Sequence, residues 1–254
     1  MSFVFKLIIL FLVSGYASAR NAGETEITTE DGIEVFQNEK FYLLKKNVKI
    51  ISDSFTLYAD NVKINFNENM YDIVELDAKG NVIFDSEAYN TKGSGQSLNF
   101  KVKVEEITIY GEKSELITED IKMFSDGSIK VNNLNGNFYI TGLNSKLINA
   151  DILIEGEFID GIFIDNETKK EIIFLNVSDE EISYVKNNDT EMYAKKINFD
   201  NNTAIIELRE KVTIIRNGEK ISGDYGTLDT NKNSYKVKST NQKKVKAIIQ
   251  DNEQ

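Results

Sequence analysis

The sequence predicts an all-β protein, elongated and built of stacked antiparallel strands, and three observations carry that prediction. From about Ile33 onward, apolar residues recur at every second position in short runs separated by Asn, Asp, Gly and Lys, the signature of strands with one buried face. The apolar parity slips by one at recurring places, as between Ala59 and Val62 and between Ala194 and Ile197. Helical periodicity is nearly absent beyond the first residues.

In chain order, the first segment reads as an address. Lys6, the apolar run Leu7 to Val13 and the small-residue pattern Ala17-Ser18-Ala19 before Arg20 predict a signal peptide over residues 1–19, cleaved after Ala19, and hence a protein of an extracytoplasmic compartment. The run is shorter than the roughly 18 apolar residues of a membrane span, so a retained anchor is the alternative. The chain has no Cys, so neither disulfides nor a lipid anchor on Cys can hold it, and stability must come from core burial and strand pairing. With no Pro and no Gly-rich linker, residues 20–254 are expected to form a single elongated domain. The formal net charge of -11 counts against nucleic acid as a partner.

The strands themselves recur. Phe55, Leu57 and Ala59 alternate with Thr56, Tyr58 and Asp60, after which Val62, Ile64 and Phe66 alternate with Lys63, Asn65 and Asn67. A slip of one residue turns the following side chains over unless the chain bends or bulges, so Asp60-Asn61 is expected to be a corner. Ala59 to Phe84 can be laid over Ala194 to Ile214: Val74-Glu75-Leu76 and Gly80-Asn81-Val82 in the first copy answer to Ile206-Glu207-Leu208 and Glu210-Lys211-Val212 in the second. Fragments of further copies lie at Lys46-Asn47-Val48-Lys49-Ile50 and Ile221-Ser222-Gly223-Asp224-Tyr225. Repetition of short strand units argues for stacking along one axis. Asn217-Gly218 and Asp126-Gly127 read as two-residue hairpins. The stretch from about Gly136 to Asp189 is less regular, although Ile152, Ile154, Phe158 and Ile172 to Leu175 still read as strands.

Catalytic patterns are sparse. Without His or Cys there is no imidazole or thiolate mechanism and no usual zinc site. A carboxylate pair of the glycosidase type is open to a chain with 41 acidic residues, but Glu75, Asp77, Glu207 and Glu210 fall mainly on the polar side of alternating strands, as a solvated face would. Asp229-Thr230-Asn231-Lys232-Asn233 resembles the start of a calcium loop, yet Ser234 stands in place of the glycine and Thr240 in place of the bidentate Glu. No metal, cofactor or catalytic residue is therefore expected, and the protein is read as a non-enzyme. Lys232, Lys236, Lys238, Lys243, Lys244 and Lys246 form a stretch without acids, which fits an exposed edge strand or a surface that meets lipid phosphates or an acidic partner.

The repeated corners, the strand pair closing on Gly80-Asn81-Val82, and the final Ile221-Ser222-Gly223-Asp224 followed by 233–237 and 243–249 together resemble the LptA/OstA family of lipopolysaccharide transport proteins. The resemblance covers about residues 33–84 and 191–250, and the middle implies extra rungs or an insertion. Glu210-Lys211-Val212 departs from the family's glycine-asparagine-valine pattern. The resemblance implies a slightly open, taco-like β-jellyroll that shelters lipopolysaccharide acyl chains between its sheets. It also implies partners of related fold at the inner and outer membranes and end-to-end self-association. If the leader is retained, a membrane-anchored partner resembling LptC is the alternative; an unrelated β-solenoid adhesin or polysaccharide-acting protein is another.

By strand parity, the residues that would line such a groove are Phe55, Leu57, Val62, Ile64, Phe66, Val74, Leu76, Val82 and Phe84. In the second copy they are Ile197, Phe199, Ile206, Leu208, Val212 and Ile214. Alternation alone does not separate an open groove from a sealed core. Strand edges for docking neighbours are expected at about Phe41 to Ile50, with Val48 and Ile50, and at about Tyr235 to Ile249, with Tyr235, Val237, Val245 and Ala247.

Overall fold

The computed structural model describes residues 24–88, 90–150, 152–166, 169–240 and 244–249. The leader and its cleavage site lie outside the described residues, as does Lys243. Twenty strands are present among the described residues, and each pairs antiparallel with its neighbours. A single 3-10 turn at Val102–Val104 is the helical structure among the described residues, and no helix there is long and apolar enough to cross a membrane.

Two short strands, β1 (Glu26–Thr28) and β2 (Ile33–Phe36), precede four long ones: β3 (Phe41–Ile51), β4 (Thr56–Phe66), β5 (Ile73–Ser86) and β6 (Thr91–Lys101). Eight shorter strands follow: β7 (Glu106–Tyr110), β8 (Ser114–Thr118), β9 (Ile121–Ser125), β10 (Ser128–Asn132), β11 (Asn137–Thr141), β12 (Lys146–Asn149), β13 (Ile152–Glu155) and β14 (Phe158–Asn166). Long strands then return as β15 (Lys169–Asn187), β16 (Thr190–Asp200), β17 (Ile205–Arg216) and β18 (Glu219–Asp229), before β19 (Ser234–Lys238) and β20 (Lys246–Ile248).

The pairings resolve into two runs. One passes through β1, β3, β4, β5, β6, β8, β9, β12, β13, β15, β16, β17, β18 and β20. The other passes through β2, β3, β4, β5, β6, β7, β10, β11, β14, β15, β16, β17, β18 and β19. Each long strand gives one half to each run and bends between them. The runs are the two sides of a folded trough, with a hinge along the bends and two lips where the chain turns back.

The parity slips mark the hinge. Lys46-Asn47 oppose Asp60, Gly80-Asn81 oppose Gln96, and Glu210-Lys211 oppose Asp224, so two residues face one at each site. In all three pairs both residues have positive φ, from 47° to 78°. Each is a bulge in a continuous strand: the extra residue keeps that strand's parity across the bend, as at Ala78 and Val82 or Leu208 and Val212, while the partner strand slips by one, and both halves then turn their apolar side chains inward. Asp60-Asn61 is the corner that the sequence implies, in the unbulged strand β4 between the bulges of β3 and β5. At Gly80 an added Cβ would stand 2.2 Å from Oδ2 of Asp60, whose carboxylate instead accepts the Asn81 side-chain amide at 3.0 Å. Glu210-Lys211 keeps the geometry without glycine, and Lys196 reaches Glu210 across the bend at 3.7 Å.

In the middle, loops cross the hinge instead of bulged strands. Asp126-Gly127 is not a hairpin: β9 pairs with β8 and β12, and β10 with β7 and β11, so the dipeptide carries the chain from one side of the trough to the other. Asn217-Gly218, with φ of 50° and 82°, does close a two-residue hairpin between Arg216 and Glu219, both central residues left-handed as that turn requires. The stretch from Gly136 to Asp189 is regular after all, supplying complete rungs from β11 to β15. Two serines sit at the hinge where loops cross it: Ser114 donates to the Gly111 carbonyl and Ser145 to the Gly142 carbonyl, each at 2.7 Å.

One expected edge is interior. β3 is covered by β1 and β2 on one side and by β4 on the other, so Val48 and Ile50 are buried and the amino-terminal edge is β1 and β2. These short strands escape a periodicity reading because three or four residues show too little alternation. At the other end Tyr235 and Val237 lie on β19 and Ala247 on β20, with Val245 exposed just before it.

Candidate functional site

Between the two sides of the trough, in its amino-terminal half, lies a cavity of about 450 Å³ lined from both runs. Five groove candidates line it: Phe55, Leu57, Ile64, Leu76 and Phe84. Val62, Phe66 and Val82 are buried but are not among its lining residues. Val74 is a correction. It is 38 % exposed, because the register shifts between Asn65 and Phe66 and this second irregularity turns Ile73 into the cavity in its place.

The second-copy candidates Ile197, Phe199, Ile206, Leu208, Val212 and Ile214 stand in the carboxy-terminal half, outside this cavity. There the sides meet: Phe199 packs partly buried against a core to which the other five belong. The lips are also joined, since Arg216 donates to the Asn233 carbonyl at 3.2 Å and to its Oδ1 at 2.6 Å. A smaller cavity of about 250 Å³ sits at that joint, among Asn187, Asp189, Arg216 and Asn233. The trough is thus open in one half and closed in the other.

Much of the open half is built by residues that parity did not single out. Leu98 and Phe100 of β6, Ile107 of β7, Leu116 of β8, Ile121 and Met123 of β9 and Val131 of β10 line the cavity, joined by Ile27 and Ile50 at the amino-terminal end. A signal for them exists in the sequence. Gly111-Glu112-Lys113-Ser114-Glu115-Leu116-Ile117 is echoed by Gly142-Leu143-Asn144-Ser145-Lys146-Leu147-Ile148, with φ of 113° and 114° at the glycines and 57° at both third residues. This repeat places Leu116 of β8 and Leu147 of β12 at equivalent inward positions on either side of β9. At Gly93 a Cβ would come within 2.3 Å of the Phe84 ring, so the bare backbone there is what lets Phe84 lie across β6.

The lips differ in chemistry. Ser54, Ser86, Thr91 and Thr118 border the cavity on the first run, next to Asp53, Glu87 and Glu119. The second-run lip carries exposed large apolar side chains: Tyr71 is 93 % exposed and Leu134 62 %, with Ile73, Val102 and Val104 also exposed, beside Glu105 and Asn133. Such a rim suits an amphiphile whose tail lies between the sides and whose head stays in water.

Outside the cavity the polar residues pair on the solvated face. Asn99 donates to Glu75 at 2.9 Å and to Asp77 at 2.7 Å, and Arg209 donates to Glu207 at 2.8 Å. Asp229 accepts the backbone N–H of Lys232 at 2.9 Å, so the calcium-like segment is a polar turn between β18 and β19. No cluster of carboxylates able to hold a metal ion occurs among the described residues.

Glu106, at the second lip, takes Lys130 at 2.8 Å and Lys101 at 3.1 Å. Chiefly through the Lys130 hydrogen bond, its carboxyl is held below the ordinary carboxylate range. A group with a depressed folded pKa contributes stability above its unfolded pKa and loses it as pH falls through the folded value. Glu106→Gln is therefore expected to cost at most about 1 kcal/mol at neutral pH, given its half-exposed lysine partners. That cost should begin to shrink as pH falls below the ordinary Glu pKa of about 4.3 and vanish once it has fallen through the depressed folded value, as urea midpoints across pH would show.

No curated protein matches the chain. The crystal structure of LptH, the LptA homologous periplasmic component of the conserved lipopolysaccharide transport device from Pseudomonas aeruginosa, matches over 90% of this chain and 96% of its own. The identity is 8% and the TM-score 0.23, too loose a likeness to bear on function. Residues 29–136, which supply most of the cavity lining, match the family described as LptA/(LptD N-terminal domain) LPS transport protein.

Proposed function

We propose that the protein is a non-enzymatic periplasmic carrier that shelters lipopolysaccharide acyl chains in the open half of its trough and passes them along a bridge between the membranes. The observation that carries this reading is the apolar cavity, lined from both sides and built mostly by the residues that match the LptA/LptD transport family. Each buried methylene contributes about 0.8 kcal/mol, so a partly sheltered tail is held without specific polar contacts and a groove suffices where an enzyme would need positioned groups. Unlike lips let the head remain in water while the tail lies inside.

The two ends supply docking edges for neighbours of related fold, or for a second copy, by strand addition. Glu26, Glu30, Asp31 and Glu34 mark the amino-terminal edge and Lys236, Lys238, Lys244 and Lys246 the carboxy-terminal one, a charge pattern that favours head-to-tail contact. Photocrosslinkers at Val237 and Val245 that trap no partner in envelope extracts would count against these edges.

The carrier reading is tested by mass spectrometry of lipid bound to the exported protein. Lipopolysaccharide, or its acylated core, is expected at stoichiometric amounts after incubation with an excess. Protein that stays lipid-free under those conditions would defeat the proposal.

A further inference from the structure

Resting on the acyl-chain reading of the trough, we infer that Phe163 is its end wall and sets the length of chain that it accepts. On the first run the lining ends at Ile121 and Met123 of β9, and on the second its last apolar residue is Phe163 of β14, with Lys170 of β15 beside it. Phe163 does not stand alone. Its ring stacks on Phe138 with centroids 5.6 Å apart and planes at 12°. Phe138, fully buried, leans over Gly161, where a Cβ would meet its ring at 2.6 Å. The ammonium of Lys170 stands 5.1 Å from the Phe163 centroid, within reach of a cation–π contact.

The lips are tied together at the same level. The Lys170 backbone N–H donates to Asp120 Oδ2 at 2.9 Å, and Asn149 donates to the Lys170 carbonyl at 3.4 Å. Asp120 and Asn149 belong to the first lip and Lys170 to the second, so this bridge shuts the mouth where the two rings block the interior. Beyond them Leu147, Ile154 and Ile159 are packed to 1 % exposure or less. From β1 to β9 the open part is six strand spacings, roughly 29 Å at about 4.8 Å each.

A tail laid along this trough meets an aromatic wall at about the middle of the molecule. Phe163 and Lys170 lie outside residues 29–136, so the wall is supplied by residues beyond the stretch that matches the family. A blind trough has a consequence that an open-ended one lacks: binding strengthens with tail length only until the tail reaches the wall.

The test is calorimetric titration of the full exported protein with lysophosphatidylcholines of increasing saturated chain length. Affinity should rise about fourfold per added methylene up to a cut-off, then stay level. Phe163→Ala should move the cut-off to longer chains, and Val131→Phe, which fills the trough ahead of the wall, should move it to shorter ones. If one variant fails to fold, as circular dichroism would show, the other decides alone. A steady rise with no cut-off, or a cut-off that the folded variants leave in place, would overturn the end wall while preserving the acyl-chain reading. No binding at any length would overturn that reading, and the wall with it.

Discussion

Replacing Phe100 by glutamate is expected to weaken lipopolysaccharide binding by tenfold or more while leaving the protein folded. Phe100 lines the cavity and is only partly buried against the core, so its side chain faces the space that a tail would fill. The substitution removes an aromatic contact worth on the order of 2 kcal/mol when fully made and places a carboxylate where an acyl chain would strip it of water. A loss of about 1.4 kcal/mol already gives the tenfold change. Folding should survive because the backbone of Phe100 keeps its pairings with Leu76 and Ile107 and the new carboxylate can reach the open mouth. Titration with lipopolysaccharide, beside a thermal melt, separates the two effects; binding unchanged in a folded variant would remove the cavity from the mechanism.

The second large effect compares two leucines at equivalent places in one repeat. Leu147→Ala should cost about 2–5 kcal/mol, the range for deleting a buried leucine from a packed core, because Leu147 is fully buried in the closed half. At about 2–4 °C per kcal/mol for a chain of this size, the melting midpoint should fall by on the order of 10 °C. Leu116→Ala should cost distinctly less. Leu116 is also buried, but it borders the cavity, so one flank of its side chain lacks packed neighbours and fewer dispersion contacts are lost. Equal losses at the two positions would mean that the open and closed halves are packed alike.

These contrasts show which parts of the molecule were legible from the chain. Period-two alternation identified the strands, and the parity slips at Ala59 and Ala194 located the hinge, because a strand that bends without an extra residue must slip in parity if both halves are to face inward, the extra residue lying in the bulged strand beside it. Phe55, Leu57, Ile64, Leu76 and Phe84 were found at the cavity by that rule. Val74 escaped it, since a further register shift between Asn65 and Phe66 exchanged it with Ile73. Asp126-Gly127 misled because the turn signal is local, whereas the partner of each flanking strand is set by rungs distant in sequence. Open and closed halves read alike: Ile64 and Ile197 have the same alternation, and what separates them is the distance between the two sides. That distance depends on particular contacts, the Phe138–Phe163 stack and the Asp120–Lys170 and Arg216–Asn233 bridges, which alternation does not encode.

The central claim is that lipid occupies the amino-terminal half of the trough and not the carboxy-terminal half. It is tested most directly by placing a photoreactive residue at Ile107, which lines the cavity, and separately at Leu208, which is buried in the closed half and lines neither cavity. Irradiation in the presence of lipopolysaccharide should give a lipid adduct on gels from the Ile107 protein and none from the Leu208 protein. Adducts of equal yield at both positions, or none at Ile107, would contradict the account.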